Sequence, residues 1–279
     1  VIPLARLLKI SRPRFWFYTA GPFLLGTMAG LAKPRNLFTL EFWLSFLFFL
    51  IPVNLYLYGI NDLFDQETDR LNALKKGDSA QEHLLTPLQA NSLTRLLWAV
   101  IALDLVVLVL LPDTIARLLF IAFVVLSTIY SAPPRLKARP FLDSYSNVLY
   151  VLPGYLAYYL NAGRLPPIPI LIAGMLWAAG MHAYSALPDI APDAEAGIET
   201  VAVRLGERGG LIFVLMNWLA FTLLLNSVIG VIGLITLIYP LIPLVLLFQP
   251  SGTIRRVYWW FPYLNGLMGF LAFALLSVG

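Results

Sequence analysis

Apolar residues run along this chain in long unbroken blocks, separated by short polar segments that hold most of the Lys, Arg, Asp and Glu. An α-helix needs about 20 mainly apolar residues to cross about 30 Å of hydrocarbon. Nine runs qualify, at about 14–32, 40–60, 92–111, 115–132, 144–162, 167–187, 209–227, 229–248 and 257–278. The stretch from Leu211 to Phe248 is too long for one crossing, and Asn226, Gly230 and Gly233 mark the turn inside it. A membrane β-barrel would instead alternate apolar and polar positions in segments of about ten residues. The pattern predicts an all-α fold, a polytopic bundle of nine transmembrane helices.

Composition agrees. Of 279 residues, 59% are hydrophobic and 12% charged, about half the charge of an ordinary soluble domain. With no Cys, a disulfide scaffold is excluded, as are a disordered chain and a typical soluble enzyme. The net charge of +4 would fit a nucleic-acid partner until its placement is considered. Fifteen of the nineteen Lys and Arg residues fall on one side of the nine-span topology; only Lys33, Arg35, Arg117 and Arg164 fall on the other. Basic loops stay cytoplasmic, so the N-terminus is expected inside the cell and the basic charge reads as a topology signal. The first thirty residues share features with a signal peptide, but cleavage would invert the charge pattern of every later loop. That span is expected to stay.

The acidic residues are more informative. Six of fifteen lie between Asp62 and Glu82 and five between Asp189 and Glu207, both in loops expected on the cytoplasmic side. In the first, Asn61, Asp65, Asp69 and Asp62 fall at about 0°, 40°, 80° and 100° around a helix, so four oxygen-bearing side chains share one face. Asn54 and Tyr58 extend that stripe into the membrane. In the second, Asp189 and Asp193 share a face with His182, although Pro188 and Pro192 weaken the helical geometry. Carboxylates so close repel unless a cation joins them. Mg²⁺ takes one or two carboxylates and binds substrate phosphates, and the basic segment Tyr130 to Arg139 would neutralise remaining phosphate charge. The composition of this mouth suggests a diphosphate, and the apolar spans beneath it a lipid substrate.

The motif N-D-x-x-D-x-x-x-D at 61–69, the motif D-x-x-x-D at 189–193 and the segment YSAPPRLK at 130–137 resemble those of the UbiA-type intramembrane prenyltransferases, along nearly the whole chain. The resemblance implies a single membrane domain over residues 1–279 around a central cavity, with cytoplasmic cap loops near 61–91, 133–143 and 188–208. It implies two Mg²⁺ ions bridged by an isoprenyl diphosphate and held by Asn61, Asp65, Asp69, Asp189 and Asp193, with Asp62 as a further candidate. Lys137 and Arg135 would grip the diphosphate, with Arg14 and Arg70 as weaker candidates; Asp65, Asp189 and Lys137 would carry the chemistry. The segment from His182 to Ile190, continuing through Ala196 to Thr200, resembles the carotenoid-modifying branch, the lycopene elongases. The partners implied are an isoprenyl diphosphate donor, a lipophilic acceptor and membrane lipid, with no nucleic acid and no obligatory protein partner. The setting implied is a prokaryotic plasma membrane, with the mouth of the site facing the cytoplasm.

Aromatic faces attract an allylic cation by about 0.5–2 kcal/mol, which makes Tyr58 and Tyr184 candidates, although aromatics in spans more often pack. His182 lies within an apolar span, where a polar residue is a functional hypothesis. Asp104 reads as an interhelical contact, Asp143 as an N-cap of the fifth span and His83 as surface. The loop 61–91 is long enough to act as a lid. Three alternatives stay open. A UbiA-type enzyme with a phenolic, quinone-precursor or glycerophospholipid acceptor fits the same motifs. An ion-coupled transporter would place its carboxylates nearer the bilayer midplane. A CDP-alcohol phosphotransferase would carry Gly directly after D-x-x-D, where Gln66 stands.

Overall fold

In hydrocarbon, backbone N–H and C=O groups have no water to bond, so each apolar run satisfies them internally as helix. The computed structural model describes residues 2–31, 37, 39–66, 85–250 and 252–278, with no strand among them. In chain order the helices are α1 (Leu4–Ile10), α2 (Phe17–Gly30), α3 (Leu40–Leu50), α4 (Pro52–Phe64), α5 (Pro87–Leu110), α6 (Thr114–Ile129) and α7 (Leu142–Tyr145). They continue with α8 (Leu152–Ala162), α9 (Ile168–Ala186), α10 (Ile190–Glu195), α11 (Val201–Ile229), α12 (Ile238–Leu246) and α13 (Gly252–Val278).

Among the described residues, five helical stretches are long and apolar enough to cross a membrane: Leu40–Phe64, Pro87–Leu110, Ile168–Glu195, Val201–Leu246 and Gly252–Ser277. Thr114–Ile129 is a shorter apolar helix. Two runs that look continuous in sequence yield shorter helices. The first begins with a 3₁₀ turn at Pro13–Phe15 and gives the 14 residues of α2. The fifth is broken by a 3₁₀ segment, Ser146–Tyr150, ahead of the 11 residues of α8. At that break the side chains of Ser146 and Asn147 donate to the Asp143 carbonyl, the competition with helix that short polar side chains offer.

The chain divides into two compact units. One comprises Val1–Pro134, Leu152–Leu165 and Ala272–Gly279; the other comprises Arg135–Val151 and Pro166–Leu271. In the first, α2 and α8 cross backbone to backbone: a Cβ added at Gly26 would lie 2.0 Å from the Gly154 carbonyl oxygen. Phe23, Phe42, Phe48, Phe49, Phe120 and Phe123 stack along the core beside them. The chain breaks between α3 and α4 at Ile51, ahead of Pro52. The fully buried Asn54 repairs that break. Its Nδ2 donates to the Phe49 and Leu50 carbonyls at 3.0 Å and to Thr19 Oγ1 at 2.9 Å, satisfying acceptors that a helix end leaves open. Asn54 is thus a structural residue here. Tyr56 and Thr128 share a 2.8 Å hydroxyl hydrogen bond, and the buried Asp104 interacts electrostatically with Tyr56.

In the second unit, Trp218 on α11 is fully buried and donates from Nε1 to the Trp177 carbonyl on α9 at 3.1 Å. The turn expected near Gly230 is present. Gly230 takes φ 66°, ψ −155° and ends α11, a conformation open chiefly to glycine. The chain returns through the 3₁₀ segment Gly230–Leu237, whose Thr236 hydroxyl bonds Thr222 Oγ1 at 3.0 Å.

Candidate active site

The first aspartate motif sits at the C-terminal end of α4. Asn61 and Asp62 occupy its last turn, and Asp65 is its C-cap, with its N–H donating to the Asn61 carbonyl at 3.0 Å. Asp62 and Asp65 are buried, 5% and 8% exposed. Asn61 Oδ1 accepts from Ser131 Oγ at 3.2 Å. Gln66 pins the segment by donating to the Asp62 carbonyl at 2.6 Å and accepting the Leu85 N–H at 3.0 Å.

This placement opposes the helix dipole, because a helix C-terminus carries partial negative charge and favours cations. Two buried carboxylates there need positive charge nearby. Arg12 supplies part of it: its Nη2 donates to Asp62 Oδ1 at 3.0 Å, and its guanidinium lies 4.8 Å from the centre of the Tyr58 ring. The sequence reading missed Arg12. Its backbone takes φ 50° between α1 and the turn Pro13–Phe15, and nothing in local spacing points it at a residue fifty positions away. Tyr58, read as a partner for a substrate cation, faces the Arg12 cation instead. Asp62 is likewise engaged by Arg12. Asn61, Asp62 and Asp65 are hard oxygen donors gathered against the dipole, a set that fits Mg²⁺. Among the described residues no three His, Asp or Glu side chains form a metal centre by themselves. Asp69 and Arg70 lie outside the described residues, as do His83 and most of the loop 61–91.

The second motif is built differently. Helix α9 stops at Ala186, a 3₁₀ turn spans Leu187–Asp189, and α10 restarts at Ile190. Pro188 and Pro192 thus break the continuous stripe, as their lost N–H donors require. Asp189 is exposed and Asp193, in the first turn of α10, is half-buried. Arg255, at the start of α13, donates from Nη2 to the Pro188 carbonyl at 3.0 Å and so holds the turn; the sequence gives no sign of this contact. In the same unit Lys137 is buried in the 3₁₀ turn Leu136–Ala138, which follows Arg135 at φ 56°. Arg14 is exposed in the other unit.

Tyr184 is fully buried, its ring 5.1–5.7 Å from those of Phe261, Trp218 and Tyr258, which places it in aromatic packing. His182, two residues earlier on α9 and so on its opposite side, brings Nε2 to 3.4 Å from Asp143 Oδ2. Asp143 is not the cap of the fifth span that its position suggested. From the first turn of α7 its Oδ2 accepts the Val201 N–H at 2.8 Å, capping α11 from 58 residues away.

The chain as a whole is similar to known proteins. The profile of the UbiA prenyltransferase family matches residues 20–261. The chain is 40% identical over 282 residues to a lycopene elongase/hydratase of Haloarcula japonica, covering 99% of this chain and 92% of that protein. It is 39% identical to one of Halobacterium salinarum, covering 94% of each chain. Among solved structures, a UbiA homolog from Archaeoglobus fulgidus bound to GPP and Mg²⁺ has the same fold at a TM-score of 0.72, with 22% identity over 96% of this chain and 99% of that one. The transporter and phosphotransferase alternatives fall away. The chain belongs to the UbiA prenyltransferase family, in the branch of the lycopene elongase/hydratases.

Proposed function

We propose that this enzyme transfers a prenyl group from an allylic diphosphate to the end of a carotenoid, with lycopene as the acceptor. The observation that carries this reading is 40% identity along 99% of the chain to a protein named for lycopene elongation. It acts as one multi-pass domain of nine spans in a prokaryotic plasma membrane, N-terminus and site mouth cytoplasmic.

In this reading Asn61, Asp65 and Asp69 would hold Mg²⁺ at the first motif and Asp189 and Asp193 would hold it at the second, each serving the diphosphate of the donor. Bound Mg²⁺ supplies electrostatic stabilisation of charge building on the leaving oxygens. Lys137 and Arg135 bind the same diphosphate, with Arg14 and Arg70 as outer contacts. Asp62 serves the first motif through its pairing with Arg12. The apolar spans exclude water while the allylic cation exists, and the acceptor double bond attacks it from within them.

The test is product analysis of the purified protein in lipid with dimethylallyl diphosphate and lycopene, with and without Mg²⁺. A Mg²⁺-dependent product one prenyl unit heavier, lost in Asp65→Ala and Asp189→Ala, is expected. Turnover with a phenolic or glycerophospholipid acceptor in place of lycopene would overturn the acceptor. No turnover of any allylic diphosphate would overturn the prenyl-transfer role itself.

A further inference from the structure

Helix α13, long and apolar enough to cross a membrane, has two unlike faces. At about 100° per residue, Tyr258, Phe261 and Asn265 fall together on one of them. That face packs inward. Phe261 is buried, its ring stacked 5.4 Å from that of Trp218; Tyr258 lies 5.7 Å from Tyr184, and Tyr239 donates to Asn265 Oδ1 at 3.0 Å. The opposite face carries Arg256, Trp259, Trp260, Tyr263, Leu267 and Phe270 in one stripe, all exposed. We propose that this stripe is a docking site for one anionic phospholipid, with its phosphate on Arg256 and an acyl chain along the rings and the apolar residues beneath them.

Contact with lipid is common to every span, and exposure alone does not make a site. The order of chemistry along this stripe does. A cation comes first, then three rings in mutual contact, then Leu267 and Phe270. The Trp259, Trp260 and Tyr263 rings lie 4.8, 5.5 and 5.8 Å apart. Trp and Tyr favour the boundary between headgroups and acyl chains, where an apolar face and a polar edge are both served. The helix rises about 21 Å from Arg256 to Phe270. That is about half the 40–45 Å of a whole bilayer, so the stripe has the length of one phospholipid in its leaflet.

Charge complementarity selects the headgroup. Arg256 makes no hydrogen bond or ion pair among the described residues, and the first turn of α13 holds no acidic residue. A guanidinium fork matches phosphate oxygens through parallel N–H bonds. A zwitterionic headgroup carries a compensating cation beside the same phosphate, so the preference is for a lipid of net negative charge.

Such a lipid also acts on the second aspartate motif. Arg255, the preceding residue, donates to the Pro188 carbonyl and so holds the turn that carries Asp189. A lipid seated on Arg256 fixes this end of α13 and with it that tether. On the reading of Asp189 as a metal ligand given above, diphosphate is then bound more tightly in an anionic bilayer.

The experiment places the full chain in nanodiscs of phosphatidylcholine with or without phosphatidylglycerol, and native mass spectrometry counts the lipids that stay on the protein. Wild type is compared with Arg256→Gln and Trp260→Ala, whose side chains are exposed and leave the packed face of α13 intact. Arg95→Gln is the control, because Arg95 on α5 is also exposed, with Trp98 one turn further on in place of a ring cluster. Wild type is expected to retain one phosphatidylglycerol in preference to phosphatidylcholine. Arg256→Gln should cut that preference about fivefold, the scale of one basic side chain at an anionic surface. Trp260→Ala should weaken retention of both lipids, and Arg95→Gln should change neither. The KM for dimethylallyl diphosphate should be lower in anionic discs for wild type, and the same in both discs for Arg256→Gln. An unchanged preference in Arg256→Gln, or an equal loss in Arg95→Gln, overturns the site. Displacement of the lipid by soluble glycerol phosphate overturns it in favour of a free anion. A dimer in larger discs that Trp260→Ala separates overturns it in favour of a second copy. Preferential retention with a KM indifferent to lipid charge overturns the link to the Asp189 turn. The lipid counts need no turnover, so they stand apart from the prenyl-transfer reading.

Discussion

The two aspartate motifs are chemically alike and physically opposite. The first is buried at the C-terminal end of α4, against the dipole, with Arg12 paired to Asp62. The second lies on a proline-broken turn, with Asp189 exposed and the turn tied by the Arg255 bond to Pro188. The first is thus buried at the unfavourable end of the dipole and fixed in position; the second faces solvent and is tied by a tether. In the proposed reading a metal at the first motif would offset the helix dipole, whereas at the second it would meet ligands whose backbone must be held.

The largest test of that contrast is Asp65→Asn. Turnover is expected to fall by at least about 10²-fold, as when one charge-stabilising group is removed from an active site. Metal-free stability, measured by thermal unfolding in detergent, is expected to hold or rise by about 0.5 kcal/mol, because an unfavourable charge leaves a helix C-terminus. A clear loss of stability would break the contrast, since the carboxylate would then be part of the scaffold.

Arg12→Ala comes next and moves stability first. It removes the guanidinium paired with a buried carboxylate, and a cost of about 2 kcal/mol is expected, below that of a fully buried pair because Arg12 is one-third exposed. Adding Asp62→Asn should recover part of that cost. A double-mutant cycle with no coupling would show that the pair contributes nothing to stability.

Arg255→Ala probes the second motif. The lost bond is exposed, so stability should change by less than about 1 kcal/mol. Activity is expected to fall about tenfold, since a misplaced ligand costs rate through geometry. Unchanged activity with a normal KM for the diphosphate would show that the turn holds itself.

These contacts also mark what the sequence could tell. Helicity and the turn at Gly230 follow from apolar run length and local spacing, which act within a few residues, and the family from the resemblance that the two motifs carry. Asn54 shared the motif's face and was read with it, yet its amide serves the α3–α4 break. A helical wheel gives a direction and not a partner. Arg12 reaches Asp62 across fifty residues, and Asp143 reaches Val201 across 58, bypassing the span it precedes. Such pairings are set by packing between helices, for which neither residue carries a local signal. Polar breaks inside apolar runs, as at Ser146 and Asn147, were hidden because hydropathy averages over them.

The smallest effect is expected from a carboxylate placed the opposite way. Asp113, in the turn before α6, is an N-cap where the dipole favours negative charge. The Ala116 N–H, accepted at 2.9 Å, chiefly holds its carboxyl below the usual range. Burial opposes this, and the Tyr159 hydroxyl, the Ile115 N–H and Arg117 assist. A depressed folded-state pKa gives stability that is complete above the ordinary carboxyl value near 4 and is lost as pH falls through the lower folded value. The stability gap between wild type and Asp113→Asn should therefore be constant at neutral pH and shrink only below about pH 4. A gap that stays constant through that acidic window would show that the N-cap carboxylate gains nothing from its charge, and helix polarity would lose its part in the contrast between helix ends.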